Sequence, residues 1–504
     1  MSIYPSLQEV ESLARQGYTL IPIGIEMPAD TLTPVSAFLR MRASGSTQAF
    51  LLESADGGEE VGRYSFLGID PFADLKSLAD ELIYQNHETQ SEERDVTSYD
   101  KIGEKLTQFR SPSLPQFPPF VGGAVGYVSY DAVRYLENIP LPKDQLGAAD
   151  MRFMYFKHMI AFDRLKHRLY IVTHIAVSDS ADIAALYEHA CQTVQQIRNR
   201  LMQGIGQEEF LDFSMSDVLT ADPVAAEAEL GEERYCEAVK KIKQYIRQGD
   251  IFQCVLSDRF SFPMTVDPFL VYRVLRMINP SPYLYYLSTG DEVLLGSSPE
   301  MLVRCVDRTL QTCPIAGTRP RGQDVKADRK LESDLLASVK EKAEHLMLVD
   351  LGRNDLGRVS RPGTVTVKDF MKVERYSHVM HLVSLVEGQL KSKYTPWEAL
   401  GACFPAGTLS GAPKIRAMEI ISELEQSRRG PYGGAIVCQD FSGNLNSCIT
   451  IRSLYVKDGR GYAQAGAGVV ADSSPHREYQ EVLNKAKAIR SAVAMAQVVA
   501  GGQG

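Results

Sequence analysis

Several features that mark other classes of protein are missing from this chain of 504 residues. No stretch approaches the roughly 18 apolar residues of a membrane-spanning helix, and the first residues, MSIYPSLQEV, lack the basic region and apolar run of a signal peptide. The eight cysteines form no CxxC pair and show no zinc-ligand spacing. We therefore expect a cytoplasmic protein with reduced cysteines and no membrane segment.

An excess of basic charge is also missing. The formal net charge is −9, from 54 Lys+Arg against 63 Asp+Glu, which argues against a nucleic-acid partner. The loop FPAGTLSGAPK (404–414) lacks the GxxxxGK[ST] spacing of a nucleotide site, and GACFP around Cys403 is not an amidotransferase nucleophile elbow. At 44% hydrophobic and 23% charged residues, the composition is that of an ordinary globular protein of one to three domains.

The order of strands and helices predicts the fold class. Strands and helices alternate without a regular βα repeat. We predict strands at 49–54, 123–130, 154–162, 169–177, 250–262, 432–441, 447–456 and 461–470, and helices at 181–202 and 232–249 and after Ser474. This mixed order favours an α+β fold with antiparallel sheets over a parallel doubly wound fold.

A polar, glycine-containing stretch divides the chain. We place a linker at 203–231 because it shows no clear periodicity. The resulting domains are 1–202 and 232–490, with a C-terminal tail at 491–504.

Two predicted helices each carry an E-x-x-E pair. In KEKAEHLMLVDLGRND (340–355), Glu341 and Glu344 share an arc with His345 and Leu348, opposite the apolar positions 339, 343, 346 and 347. The final helix carries Glu478 and Glu481, and Lys485 follows one turn later.

Carboxylates brought together repel, so a cation between the two pairs would stabilise them, and all-oxygen ligands suit Mg²⁺. Two solvated helix faces remain the alternative. A di-iron site would need Glu-x-x-His in a four-helix bundle, and the abundant strands argue against it.

Small residues mark other candidate ligand contacts. The strand Gln464–Gly468 has almost no side chains on one face, which suits either a ligand close to the backbone or a packing need. Arg452 and Tyr432 lie on neighbouring predicted strands, and an arginine fork binds carboxylates well. CPIAGTRPRG (313–322) forms a second small-residue loop, with Arg319 and Arg321 adding positive charge. His378 and His381 lie three residues apart among apolar residues.

Taken together, these stretches resemble the component I (large subunit) family of anthranilate synthase, a group of chorismate-utilising enzymes. The matching stretches, in order, are LLES, GDIFQCVLS, NPSPYLYYL, SSPE, PIAGTRPRG, KEKAEHLMLVDLGRND, ERYSHVMHLVS, FPAGTLSGAPKIRAMEII, YGGAI and QAGAGVVADSSPHREYQEVLNKAKA. They cover about 232–490, and LLES resembles part of the N-terminal domain of the family. The resemblance implies the α+β fold of chorismate-utilising enzymes.

The resemblance also implies an active site. Mg²⁺ would lie between Glu344 and Glu481, with Glu478 in support. Glu341 would protonate the departing C4 hydroxyl of chorismate, with His381 beside it. The remaining implied substrate contacts are Gly317, Thr318, Tyr432, Arg452, Gly466, Ala467, Gly468 and Lys485; Thr318 is also a candidate for a catalytic role.

Two positions distinguish related activities. Relatives that form salicylate, isochorismate or aminodeoxychorismate typically carry a lysine in place of Gln253, and aminodeoxychorismate synthases tend to read PIKGT at Ala316. Ammonia is already a nucleophile and needs no such lysine. The resemblance therefore favours anthranilate formation, the first step of tryptophan biosynthesis. Aminodeoxychorismate synthase component I and a non-catalytic regulatory binder on the same fold stay open as alternatives.

A partner and an effector are implied as well. Since the chain has no glutaminase motif, a separate glutamine amidotransferase subunit would supply ammonia, in a complex of two large and two small subunits. LLES and NPSPYLYY resemble the tryptophan feedback site of the family, at Glu53, Ser54, Pro282, Tyr283 and Leu284. Family members often carry methionine where this chain has Leu284.

Overall fold

The computed structural model describes residues 3–43, 45–55, 62–178, 181–204, 211, 222–375 and 379–501. Within these residues the helices are α1 Leu7–Arg15, α2 Pro34–Arg42, α3 Tyr99–Leu106, α4 Ile183–Leu201, α5 Gly231–Gln248, α6 Pro268–Ile278, α7 Val325–Ala337, α8 Val339–Val359, α9 Pro396–Cys403, α10 Lys414–Leu424 and α11 Pro475–Gly501. Two short 3₁₀ helices lie at Tyr130–Tyr135 and Gly407–Leu409. None of the helices in these ranges combines the length and hydropathy needed to cross a bilayer.

The strands are short and numerous. They are β1 Leu20–Pro28, β2 Gln48–Glu53, β3 Tyr64–Ile69, β4 Ala73–Leu78, β5 Glu81–Asn86, β6 Ser91–Val96, β7 Gly123–Val128, β8 Met151–Phe156, β9 Met159–Asp163, β10 Arg168–Ala176, β11 Glu227–Ala228, β12 Gln253–Pro263, β13 Tyr283–Thr289, β14 Glu292–Ser298, β15 Met301–Val306, β16 Thr309–Thr312, β17 Ile315–Pro320, β18 Thr366–Val367, β19 Lys372–Arg375, β20 Val379–Val383, β21 Val386–Gln389, β22 Gly411–Ala412, β23 Ala435–Asp440, β24 Leu445–Ile449, β25 Ser453–Lys457 and β26 Arg460–Val469.

These strands form two large sheets and one small sheet. The first large sheet has the order β1-β10-β9-β3-β2-β13-β14-β25-β26-β12-β11, with β22 paired to β12. The second has the order β18-β21-β16-β15-β24-β23-β7-β8-β4-β5-β6, and the small sheet is β17-β20-β19. Neighbouring strands pair antiparallel, as at β2–β13 and β7–β23. The predicted α+β fold is confirmed, and a fold dominated by sheets does not offer the four-helix bundle that a di-iron site needs.

The two large sheets pack face to face. One buried cluster joins Phe50, Tyr285 and Leu294 of the first sheet to Tyr127 and Phe156 of the second. Helices cover the outer faces. α2, α4, α6 and α11 pack on the first sheet, whereas α3, α8 and α9 pack on the second. The architecture therefore has four layers, helix, sheet, sheet and helix, and the hydrophobic core lies between them.

Helix α5 shows how local sequence sets an element boundary. The helix ends at Gly249, whose φ of +85° lies in the left-handed region, and its amide bonds to the carbonyls of Tyr245 and Ile246. A side chain is strained in that conformation, so glycine is the residue that stops the helix as predicted. The chain then enters β12, which borders the active-site cavity described below.

Strands from both halves of the chain mix in both large sheets. β1–β3, β9 and β10 come from the predicted first domain and lie beside strands of the predicted second domain. The division at 203–231 stays a prediction, and most of that stretch lies outside the described residues. The part expected to be a tail is different: α11 continues to Gly501 and buries Ala492, Val493 and Ala496 against α6 and the first sheet.

Two predicted strands are each two strands. The stretch 154–162 ends one strand of the second sheet, crosses at Lys157 and His158, and begins β9 in the first. The stretch 447–456 likewise divides into β24 and β25 around Arg452, whose φ is +50°. Both stretches are rich in apolar residues on either side of a short polar interruption, and such a pattern does not distinguish one buried strand from a corner between two sheets.

Candidate active site

A cavity of about 970 Å³ lies where β12, β26, β17 and the helices α8 and α11 meet. It is large enough for a small organic ligand. Most of the predicted catalytic, substrate and metal residues line it: Gly317, Thr318, Glu344, His381, Tyr432, Arg452, Gly466, Gly468, Glu478, Glu481 and Lys485. Their separation along the chain shows that the fold, rather than any one motif, builds this site.

The small residues of β26 leave room for two neighbouring side chains. A Cβ added at Gly466 would come within 3.0 Å of the Tyr432 hydroxyl, and one added at Gly468 within 2.6 Å of the Gln253 amide nitrogen. Packing therefore explains these glycines, while it also brings Tyr432 and Gln253 to the cavity wall. Ala467 lies between the glycines, is fully buried, and packs into the cluster on the other face of the sheet. Its predicted place in the substrate site is not reflected in the cavity lining, because side chains alternate along a strand.

Three carboxylates of two helices face this cavity. Loss of solvent raises the pKa of Glu344 and of Glu478, and the negative charge of Glu481 adds to both shifts. Lys485 lies 2.7 Å from Glu481 and donates a hydrogen bond of 2.9 Å to the carbonyl of Gly466. The carboxylates thus repel one another in partly desolvated surroundings, and one ammonium offsets part of that cost.

Two residues of the polar arc predicted for helix α8 face the protein interior. His345 and Leu348 are buried, and the imidazole Nε2 of His345 lies 2.7 Å from the hydroxyl of Ser384. His345 is therefore a core residue, whereas Glu344 is at the cavity. On the opposite side, Val339 is 82% exposed and Leu346 is 45% exposed. The predicted apolar stripe is therefore divided: Val339 and Leu346 face solvent, whereas Ala343 and Met347 line the cavity, which an amphipathic pattern alone does not predict.

The guanidinium of Arg452 and the phenol of Tyr432 line the same cavity as the carboxylates. Arg452 lies in the corner between β24 and β25, and Tyr432 precedes β23, so neither lies on a strand as predicted. Loss of solvent lowers the pKa of Arg452, and the carboxyl of Glu300 opposes this shift. The guanidinium of Arg429 lies 5.8 Å from the ring centroid of the buried Tyr432. These groups can bind an anion, as the sequence suggested.

His381 and Thr318 are cross-strand partners in the small sheet. The imidazole Nδ1 of His381 lies 3.1 Å from the Thr318 hydroxyl and 3.2 Å from the carbonyl oxygen of Gly317. Burial lowers the pKa of His381, so its neutral form dominates near pH 7. His378, the second histidine of that segment, lies outside the described residues.

Glu341 occupies a different position from its predicted partner Glu344. It lies outside the set of described residues that line the cavity, and its carboxylate is 3.1 Å from a guanidinium nitrogen of Arg319. It still touches β17, the strand formed by most of the stretch that was predicted as a loop, since a Cβ at Gly317 would come within 3.2 Å of a carboxylate oxygen of Glu341. The ion pair with Arg319 occupies one carboxylate oxygen of Glu341 outside the cavity lining, a position that does not suit a proton donor to a ligand in the cavity.

Glu300 is the residue that sequence reasoning missed. It is half-buried at the cavity, and loss of solvent around its carboxyl raises its pKa to about 7, against the opposing charges of Lys485 and Arg452. The hydroxyl of Thr408 donates a 2.9 Å hydrogen bond to its Oε1. The SSPE motif had been used for the family resemblance alone. Glu300 is a single acidic residue in the short connection between the apolar strands β14 and β15. This isolated acid is the sequence signal that would have predicted it as a site residue.

The predicted feedback residues meet at a second cavity, of about 160 Å³, between the two large sheets. Glu53, Ser54, Pro282, Tyr283 and Leu284 all line it. The other walls include the aromatic residues Tyr64, Phe66, Phe120 and Tyr285. The Glu53 carboxylate accepts 2.8 Å and 2.9 Å hydrogen bonds from Tyr272 and Arg276. We call this space the inter-sheet cavity.

Comparison with known proteins assigns the family. The sequence pattern of the family described as chorismate binding enzyme matches residues 47–491. The chain belongs to this family. It is 46% identical to anthranilate synthase component 1 of Acetivibrio thermocellus over 97% of this chain and 98% of that protein. It is 43% identical to the protein of the same name from Neisseria meningitidis serogroup B, over 98% and 99% of the two chains. The resemblance predicted from the sequence is confirmed.

Solved structures agree with the fold. The crystal structure of anthranilate synthase component I from Streptococcus pneumoniae superposes with a TM-score of 0.75 at 36% identity, covering 92% of this chain and 99% of that one. The menaquinone-specific isochorismate synthase MenF from Escherichia coli superposes with a TM-score of 0.70 at 19% identity, over 97% and 100% of the two chains. The predicted fold of chorismate-utilising enzymes is thereby confirmed.

Proposed function

We propose that this member of the chorismate binding enzyme family converts chorismate and ammonia into anthranilate and pyruvate. The observation that carries the proposal is the set of groups around Glu300. One cavity combines its carboxyl, with a pKa of about 7, the cationic Arg452 and a group of repelling carboxylates. Chorismate is a dianion with a hydroxyl that must leave, so its conversion needs both a proton donor and positive charge.

In this proposal each group acts on a separate part of the substrate. Arg452, the Tyr432 hydroxyl and backbone amides of β26 bind the enolpyruvyl carboxylate. Ammonia adds at C2, the ring double bonds shift, and the C4 hydroxyl leaves as water with the proton of Glu300. Loss of the C2 proton and of the enolpyruvyl group as pyruvate then gives the aromatic ring. His381 and Thr318 hold strand β17 at Gly317 against the substrate.

We propose Mg²⁺ as the cation, held by Glu344 and Glu481 with Glu478 beside them. Carboxylate oxygens suit a hard divalent ion, and a bound cation would offset the burial and repulsion that raise the pKa of Glu344 and Glu478. Among the described residues, no three acidic, histidine or cysteine side chains are already gathered as a metal cluster. When bound, the ion supplies positive charge for the ring carboxylate and Lewis-acid polarisation. Lys485, 2.7 Å from Glu481, would hold this carboxylate in place beside the ion.

Proton donation is here assigned to Glu300 in place of Glu341. Glu300 has the raised pKa that a general acid requires near neutral pH, whereas Glu341 is paired with Arg319. Gln253 and Ala316 both line the cavity. Because neither is a lysine, no side chain at these positions can activate water or attack the ring, which supports ammonia as the nucleophile.

A glutamine amidotransferase subunit as ammonia source, and L-tryptophan as inhibitor at the inter-sheet cavity, complete the proposal. The names of the relatives support a second component. The aromatic walls of the inter-sheet cavity support an indole ligand, since aromatic rings pack edge to face with one another.

Anthranilate fluorescence tests the proposal. The purified chain is incubated with chorismate, Mg²⁺ and excess ammonium at alkaline pH, with and without tryptophan. Anthranilate that requires Mg²⁺ and falls with tryptophan is the expected result. Aminodeoxychorismate or salicylate as product would contradict the proposal, and so would chorismate binding without turnover.

A further inference from the structure

Arg429 is a charged side chain buried directly behind the wall of the active-site cavity. It is 2% exposed and is not among the described residues that line this cavity, whereas three of the residues around it are. Its Nη1 donates a 2.7 Å hydrogen bond to the carbonyl oxygen of Leu409, and its Nη2 donates a 2.8 Å hydrogen bond to that of Val255. The third is Tyr432, whose ring centroid lies 5.8 Å from the guanidinium carbon.

A buried carboxylate fixes the orientation of this guanidinium. Nε and Nη2 of Arg429 donate hydrogen bonds of 2.7 Å and 2.6 Å to the two carboxylate oxygens of Glu425. The same carboxylate accepts hydrogen bonds of 2.9 Å and 2.8 Å from the amide and the hydroxyl of Ser257 on β12. A two-point contact of this kind adds geometric specificity to the ion pair. Arg429 is thus held between β12 and the end of α10, where Glu425 lies.

Stability alone does not account for this ion pair. The desolvation of two buried charges opposes their attraction, and apolar replacements of such pairs are often neutral or stabilising. The pair does supply a fixed charged neighbour for Tyr432. Burial raises the pKa of the Tyr432 phenol, the positive charge of Arg429 opposes this shift, and Glu425 adds to it. The phenol therefore stays protonated near pH 7 and can donate its hydrogen to an anion.

The turn that carries Tyr432 packs against Arg429 on its inner side. A Cβ built at Gly433 would lie 3.3 Å from the ring of Tyr130 and 3.7 Å from Nη1 of Arg429. On the cavity side, a Cβ at Gly466 would come within 3.0 Å of the Tyr432 hydroxyl. Glycine at that position leaves room for the hydroxyl and has no side chain to orient it. The inner contacts must therefore set where the hydroxyl points.

We propose that Arg429 is a positioning residue that acts through Tyr432 and holds its hydroxyl where it donates a hydrogen bond to a substrate carboxylate. The inference rests on the proposed function, which places Tyr432 at the enolpyruvyl carboxylate. Lysine in place of Arg429 keeps the charge but not the planar fork. Arg429→Lys therefore separates the geometry of the contact from its charge.

The experiment measures chorismate binding and turnover in the full chain with Mg²⁺. Calorimetry without ammonia gives Kd, and assays with ammonia give KM and kcat. We expect Arg429→Lys to raise Kd and KM for chorismate by about tenfold, the loss expected for one misplaced hydrogen bond to a charged group. We expect kcat to change by less than about threefold, because this contact binds substrate and transition state alike.

A double-mutant cycle shows whether Arg429 acts through the hydroxyl. Tyr432→Phe removes the hydroxyl, so adding Arg429→Lys to that variant should change Kd and KM by less than about twofold. A structural role alone would lower kcat, because fewer molecules are folded, and would leave KM unchanged.

Arg152 provides a matched control. It is 8% exposed, its Nη1 lies 3.3 Å from a carboxylate oxygen of the buried Glu292, and its Nη2 donates a 2.9 Å hydrogen bond to the carbonyl oxygen of Thr289. None of these three is among the described residues that line the active-site cavity. Arg152→Lys should lower the melting temperature as Arg429→Lys does, while Kd and KM for chorismate stay at the wild-type values.

An unchanged Kd in folded Arg429→Lys would overturn the proposal. An equal rise with and without the Tyr432 hydroxyl would do so too, because Arg429 would then act on the site by another route. If Arg429→Lys does not fold, Glu425→Gln decides, with a smaller rise of the same kind that Tyr432→Phe again removes. Failure of the proposed function looks different, since the wild type would then bind chorismate and form no anthranilate, while the cycle in Kd would still test Arg429.

Discussion

The active-site cavity and the inter-sheet cavity differ in size, in charge and in how the chain builds them. The first, of about 970 Å³, gathers Glu300, Arg452, Lys485 and the helix carboxylates. The second, of about 160 Å³, lies between two sheets among aromatic rings, and its carboxylate at Glu53 is already paired with Arg276. The larger cavity is suited to an anion and a cation together, whereas the smaller is suited to burial of an apolar ring.

The two cavities meet at one pair of strands. Tyr283 of the inter-sheet cavity is the cross-strand partner of Ser298, two residues before Glu300. The amide of Ile449, which follows the cavity residue Cys448, donates a 3.0 Å hydrogen bond to the carbonyl of Glu300. The two cavities are neighbours but have different linings. We therefore expect a substitution in one cavity to affect either catalysis or inhibition, and seldom both.

The largest effect is expected at the proposed proton donor. Glu300→Gln should lower kcat by about 10²–10⁴, the usual contribution of a general acid, because the amide has no proton to give at that position. Steady-state assays with chorismate and ammonia measure this loss. The paired comparison is Glu341→Gln, for which less than about a tenfold loss is expected since Glu341 contacts Arg319 outside the cavity lining. If Glu341→Gln lost more activity than Glu300→Gln, the proton donor would be Glu341.

A second, smaller effect should appear in inhibition alone. Ser54 is buried at the inter-sheet cavity, and Ser54→Phe would fill space that a ligand ring needs. The tryptophan concentration for half-inhibition should rise by about tenfold or more, equivalent to 1.4 kcal/mol or more of binding, while kcat stays near its original value. Ser12→Phe, at an exposed position of α1, is the control. If tryptophan inhibits Ser54→Phe as strongly as the wild type, the inter-sheet cavity is not the inhibitor site.

The smallest effect should come from Leu284, where relatives often carry methionine. Leucine and methionine are similar in volume, so Leu284→Met should cost less than about 1.5 kcal/mol of stability and shift half-inhibition by less than about tenfold. Leu284→Ala is the contrasting variant, and it should lower the free energy of unfolding by about 2–5 kcal/mol because Leu284 is 2% exposed. Thermal unfolding and inhibition curves of both variants measure these effects. A shift of half-inhibition by more than about tenfold in Leu284→Met would show a larger role for this side chain.

Local patterns predicted several of the elements that border the active site, and most of the residues predicted for that site line the cavity. The glycine stop at Gly249, the carboxylate pairs of α8 and α11 and the glycines of β26 lie where short motifs placed them. Such features depend on residues close in sequence, or on family motifs that already combine distant segments.

The errors depend on contacts between distant segments. Arg452 was expected on a strand but stands at a corner where the chain leaves one sheet for the other. The role of Glu300 depends on how far solvent is excluded from its carboxyl, which sequence does not state. The split of the apolar stripe of α8, with Val339 and Leu346 exposed and Met347 at the cavity, follows from which neighbours the fold provides. Hydrophobic periodicity alone does not predict those neighbours.

The most direct test of the account is the pH dependence of kcat/KM for unprotonated ammonia, in wild type and Glu300→Gln. A general acid must be protonated to act, and the raised pKa of Glu300 is about 7. The account predicts that wild-type kcat/KM is level below this pH and falls by about tenfold per pH unit above it, the slope of a single titrating acid. In Glu300→Gln the profile should be lower and flat over the same range. Profiles of the same shape in both proteins would contradict the assignment of Glu300 as proton donor.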